Sequence, residues 1–122
     1  MTVLDASAVL AWMSHETGFE RVQAALPSAH LSAVNLAEVS EAGADPFATP
    51  RDLGALGITL HPLTAEDAAR SGALRPATRA AGLSLGDRGC LALAARLRMP
   101  ALTTDRAWGS VDVGVNIEVL RP

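Results

Sequence analysis

At 122 residues the chain is long enough for one hydrophobic core and too short for two, so residues 1–122 are read as one domain. Nearly half the residues are hydrophobic (49%) but only 3% are aromatic, a composition that suits alanine-, leucine- and valine-rich helices packed on a sheet. Net charge is −3, which weighs against a broad basic nucleic-acid footprint, and the single cysteine, Cys90, excludes an intrachain disulfide.

No apolar run approaches the roughly 18 residues of a membrane span, because Asp5, His15 and Glu16 interrupt the N-terminal apolar segment. That segment also lacks the basic start and small-residue cleavage site of a secretory signal. The expectation is a cytoplasmic protein with no membrane partner.

In chain order, Met1 to Asp5 reads as a short buried strand, with Ser7 as N-cap of a helix over Ala8 to Met13. Phe19, Val22, Ala25 and Leu26 continue at helical spacing until Pro27 stops them. His30 to Ala33 is expected as a strand, with Asn35 capping a helix that carries Leu36 and Val39. Residues Ala42 to Pro50, with Gly43 and Pro46, read as the most loop-like stretch, where a mobile connection is expected. A short helix over Asp52 to Leu56, a strand over Ile58 to Leu63 and a helix opened by Thr64 follow. Ser84 opens the clearest helix, running to about Arg98 before Pro100, with Cys90 among its core residues. Ala101 to Thr103 is a strand, Asp105 to Trp108 a helical turn, and Ile117 to Leu120 a last strand. This alternation predicts an α/β fold whose mostly parallel central sheet is flanked by helices, with any ligand at the carboxyl ends of the strands.

Asp5, Glu38, Asp87 and Asp105 each fall just after an expected strand or in the first turn of a helix, positions that share one edge of a parallel sheet. Carboxylates brought together there repel one another and call for a cation. Oxygen ligands without clustered histidine or cysteine suit Mg2+ or Mn2+. Setting these four acids aside leaves the remaining charge nearly balanced, so the negative total no longer argues against nucleic acid. A structural account of each acid competes. Asp5 can bind backbone N–H groups at a helix start, Glu38 and Asp87 stand three residues after Asn35 and Ser84 as in capping boxes, and Asp105 can cap its own turn.

The segments DAS at 5–7, NLAEV at 35–39, LSLGDRGCLALA at 83–94 and LTTDRAW at 102–108, in this order, resemble the motifs of the PIN-domain family, most closely those of VapC toxins of type II toxin–antitoxin pairs. The likeness extends to GVNIEVL at 114–120. The resemblance implies a PIN fold and an endoribonuclease in which Asp5, Glu38, Asp87 and Asp105 bind Mg2+ or Mn2+ and Ser7 and Thr103 support them. It also implies RNA products with 3′-hydroxyl and 5′-phosphate ends, a cognate VapB-like antitoxin and a homodimer. The chain departs from the usual pattern in the short Gly/Pro-rich stretch after Glu38 and in Gly86 before the third acid, where a residue of higher helix propensity is expected.

A strand-end aspartate also occurs in haloacid-dehalogenase-type phosphatases, but there a second aspartate stands two residues on, where this chain has Ser7. A receiver domain needs a lysine, and every basic residue here is arginine. The remaining alternative is a degenerate PIN module that binds RNA or a protein without cutting. Glu41, one turn past Glu38, can face the same cleft, whereas Asp112 is read as a surface residue. Arg88 and Arg106 can meet RNA phosphate or pair with a neighbouring acid. Trp12 and Trp108 are read as core or interface, and His15, His30 and His61 have no ligand spacing.

Overall fold

The computed structural model describes residues 1–42 and 50–121. Five strands, β1 (Thr2–Leu4), β2 (Ala29–Ser32), β3 (Thr59–His61), β4 (Ala101–Thr103) and β5 (Ile117–Val119), form one sheet in the order β3-β2-β1-β4-β5. Every neighbouring pair is parallel. The helices are α1 (Ala6–Met13), α2 (Phe19–Ala25), α3 (Ala33–Ala42), α4 (Pro50–Ala55), α5 (Ala65–Ala73), α6 (Arg75–Thr78) and α7 (Leu85–Leu97). The expected single-domain α/β fold with a parallel sheet is what forms.

Side chains alternate across the sheet, so neighbouring residues of one strand serve opposite faces. Leu4, Leu31 and Leu102 join the core beneath α1, α2 and α3, while Val3 and Ala101 join Cys90, Leu91, Leu93 and Trp108 on the α7 side. Both layers are therefore apolar, and β1 is buried along its whole length. Full burial of side chains such as Val3 and Leu4 stabilises by roughly 1.5–3 kcal/mol each. Between α5 and α7, the Arg96 guanidinium grips both carboxylate oxygens of Asp67 at 3.0 Å.

Several boundaries differ from expectation for local reasons. The N-cap of α1 is Asp5, and Ser7 lies in the first turn, its hydroxyl directed to Asp5. Asn35 is not a cap but a fully buried residue inside α3, which begins at Ala33 directly after β2. Pro50 starts α4, where its missing N–H is harmless; the rest of the loop-like stretch, 43–49, lies outside the described residues. Helix α6, with Pro76 in its first turn, was masked in the sequence by the proline and by the lack of an apolar stripe.

The chain steps from β1 outward to β2 and β3, then returns across the sheet to β4 on the other side of β1. The boundary between β1 and β4 is thus where the winding reverses. In open parallel sheets a crevice opens there, outside the carboxyl ends of the strands.

Candidate active site

Asp5 follows β1 at that boundary, its N–H donating to the Leu102 carbonyl at 2.9 Å. Although it stands at the N-cap of α1, its side chain makes no cap bond. Instead Oδ2 accepts two hydroxyls, from Ser7 Oγ at 2.6 Å and Thr103 Oγ1 at 3.0 Å. Each hydroxyl in turn accepts a backbone N–H, Ser7 from Thr104 at 3.0 Å and Thr103 from Asp105 at 3.1 Å. The two hydroxyl oxygens are 3.2 Å apart, with both protons committed to the carboxylate. Oδ1 has no protein partner although Asp5 is only 3% exposed. A buried acceptor left in that condition costs about 1–3 kcal/mol, and more when charged.

Burial, opposed by the Ser7 hydroxyl and reinforced by the negative charges of Asp87 and Glu38, pushes the Asp5 pKa up to about 6. Glu38, half-buried on α3, is also raised, first by burial and then by Asp87 and Glu41, against the bond it receives from Asn35. The negative charge of Asp87 thus acts on both Asp5 and Glu38. They line a cavity of about 410 Å³ together with Ser7, Leu10 and Glu41. Glu41 therefore joins the cleft, as its spacing from Glu38 allowed.

Asp87 sits in the first turn of α7, where its capping box with Ser84 is present: Asp87 N–H donates to Ser84 Oγ at 3.1 Å and Ser84 N–H to Asp87 Oδ2 at 2.9 Å. Capping and a place in the cleft are both satisfied. The capping-box account of Glu38 is not, because Asn35 Nδ2 donates to Glu38 Oε1 at 2.8 Å from within the helix. Asp105 is exposed, caps the short 3-10 turn Arg106–Ser110 through its bond from Ala107 N–H, and is not among the cavity's lining residues.

Among the described residues no three histidine, cysteine, aspartate or glutamate side chains stand as a group that could hold an ion. Glu38, Asp87 and Asp105 are each turned to a local donor. The donor set nevertheless fits a hard divalent cation: the ligand atoms are all carboxylate oxygen, and Asp5 Oδ1 is buried at the cavity without a partner.

The flanking arginines do different things. Arg88 is buried, its Nη1 donating to the Ser71 carbonyl at 2.9 Å and its Nε to the Ser84 carbonyl at 3.3 Å, so its guanidinium is bound to backbone inside the fold. Arg106 is exposed. Trp108 is fully buried, which rules out base stacking, and Trp12 donates to Gln23. Cys90 is buried, its thiol held well above the usual range by burial.

The sequence pattern of the PIN domain family matches residues 2–114. The chain belongs to the PIN domain family. Comparison with curated proteins gives no match. Solved structures share the fold of this PIN domain. A toxin–antitoxin complex from Klebsiella pneumoniae is 20% identical, with 98% of each chain covered and a TM-score of 0.76. A DNA-bound VapBC from Salmonella typhimurium is 16% identical, covering 98% of this chain and 97% of that one, with a TM-score of 0.69. A VapBC-family toxin–antitoxin protein from Mycobacterium tuberculosis is 21% identical, covering 99% and 98%, with a TM-score of 0.59.

What sequence reading missed is the support around Glu38. Asn35 buried in a helix and glycines at 86 and 89, one face of α7, were the available signals.

Proposed function

We propose that this PIN domain is a metal-dependent endoribonuclease toxin of the VapC type, hydrolysing RNA phosphodiesters at a carboxylate site made of Asp5, Glu38, Asp87 and Asp105. The observation that carries this reading is Asp5: a carboxylate buried at a cavity shared with Glu38 and Asp87, held from one side by two hydroxyls and with its other oxygen unpartnered.

Mg2+ or Mn2+ bound here would offset the charge of the scissile phosphate and make a water more acidic at neutral pH. The protein's part is positional. Ser7 and Thr103 fix the Asp5 carboxylate through Oδ2, and its unpartnered Oδ1 would be the atom to hold the ion. Glu38 and Asp87 line the same cavity and would add their carboxylates to the site. Asp105, at the end of β4, would join them by exchanging its bond from Ala107 for the ion. The pKa values of Asp5 and Glu38 are both raised, first by burial and then by the neighbouring carboxylates, and a bound cation would relieve the cost of ionising them.

The likeness to toxin–antitoxin complexes supports a VapB-like antitoxin as partner. A homodimeric toxin acting in the cytoplasm belongs to the same proposal. Among the described residues no helix is long and apolar enough to cross a membrane. The position of Asp105 outside the cavity favours one second reading, a degenerate module that binds RNA or a protein without cutting. Incubating total RNA and Mg2+ or Mn2+ with the purified chain and with Asp87→Ala separates the two. Discrete cleavage by the wild type alone supports the nuclease, and identical behaviour of the two proteins removes it.

A further inference from the structure

We propose that Asn35 and Gly86 are positioning residues that together fix the Glu38 carboxylate at the cavity wall, Asn35 by holding it and Gly86 by leaving it room. This rests on the reading of Glu38 as a metal ligand.

Asn35 is fully buried in α3, and its Nδ2 donates both to Glu38 Oε1 at 2.8 Å, one helical turn on, and to the Gly86 carbonyl at 3.0 Å in the first turn of α7. One amide thus ties Glu38 to the helix that carries Asp87. Its own oxygen, Oδ1, is buried without a partner, so the side chain is kept at this place for its two N–H donors. With Oε1 held by Asn35 and Oε2 lying against Gly86, the carboxylate is kept in one orientation at the cavity.

A Cβ on Gly86 would lie 2.5 Å from Glu38 Cδ and 2.6 Å from Oε2, and one on Gly89 would lie 2.6 Å from Val34 Cγ1. Real Cβ atoms essentially never show such contacts, so the Glu38 carboxylate, the far end of a flexible side chain, would have to move from its place. The Glu38 carboxylate occupies the space that any other residue at 86 would fill. This accounts for a glycine inside the first turn of α7, where helix propensity disfavours it.

The test is Mn2+ affinity, measured calorimetrically on the full chain without RNA, alongside melting temperature, for Asn35→Ala, Gly86→Ala, Glu38→Ala and the two doubles that combine Glu38→Ala with each. Asn35→Ala and Gly86→Ala should each weaken Mn2+ binding by about tenfold, as loss of an outer partner of a metal ligand typically does. Neither should weaken it further once Glu38 is alanine, because both act through that carboxylate. A shift in melting temperature with unchanged Mn2+ affinity would show a purely structural tie and overturn the proposal, as would equal weakening with and without Glu38. If Asn35→Ala does not fold, Gly86→Ala decides alone, since it removes no hydrogen-bond donor. Unchanged Mn2+ binding by Glu38→Ala itself gives a different pattern: it overturns the ligand reading of Glu38, and the positioning roles with it.

Discussion

Thr103 Oγ1 donates to Asp5 Oδ2 at 3.0 Å, joining residues 98 positions apart across the boundary where the sheet reverses its winding. Thr103 is fully buried and also accepts the Asp105 N–H, so its hydroxyl sets the direction of one acid and the backbone of another. Thr103→Val keeps the shape and deletes both bonds. It should lower unfolding free energy by about 1–3 kcal/mol, read from urea titration, and slow metal-supported RNA cleavage.

Asp5 makes stability fall as pH rises. Its folded pKa, about 6, lies above the ordinary 3.8, so the native state holds the proton more tightly than the unfolded chain. The contribution is fully present below about pH 4 and is lost as pH climbs through 6, a swing on the order of 3 kcal/mol. Without divalent metal, Asp5→Asn should therefore melt at a higher temperature than wild type at pH 7.5, with the gap closing below pH 4. A gap independent of pH would place the effect elsewhere.

The fold was legible because its signals are local: Val3 and Leu4 as a buried strand, Ser84 three residues before Asp87, Pro100 after the long helix. Parallel pairing followed from the alternation of strands and helices. Of the four acids that position singled out, Asp5, Glu38 and Asp87 line one cavity and Asp105 does not. Asn35 was misread because an Asn before an apolar run has the same local pattern whether it caps a helix or sits buried in one. Only the approach of α7, permitted by Gly86 and Gly89, decides between these. The role of Arg88, left open by the sequence, could not be read locally for a similar reason, since its carbonyl acceptors come from Ser71 on a different helix as well as from Ser84.

Arg88 should be a stability residue. Arg88→Met retains much of the buried stem but leaves the Ser71 carbonyl without its 2.9 Å donor. The expected loss is about 1.5–3 kcal/mol, the range for a hydrogen bond involving a charged group, measured by chemical denaturation. Unchanged stability would mean that solvent reaches that carbonyl.

Metal binding should release a proton from Asp5. Mn2+ affinity should rise with pH through about 6, because ligation requires the ionised carboxylate and burial holds the proton on it to that point. Calorimetry in buffers of different ionisation enthalpy counts the proton directly. In Asp5→Asn that release should disappear.

The most direct test of the central claim is the chemistry of the cut ends. RNA digested by the purified chain in Mg2+ or Mn2+ should carry 5′-phosphates and 3′-hydroxyls, and cleavage should vanish with EDTA and in Asp87→Ala. Products with 2′,3′-cyclic phosphates and 5′-hydroxyls, formed equally well in EDTA, would contradict a carboxylate–metal nuclease.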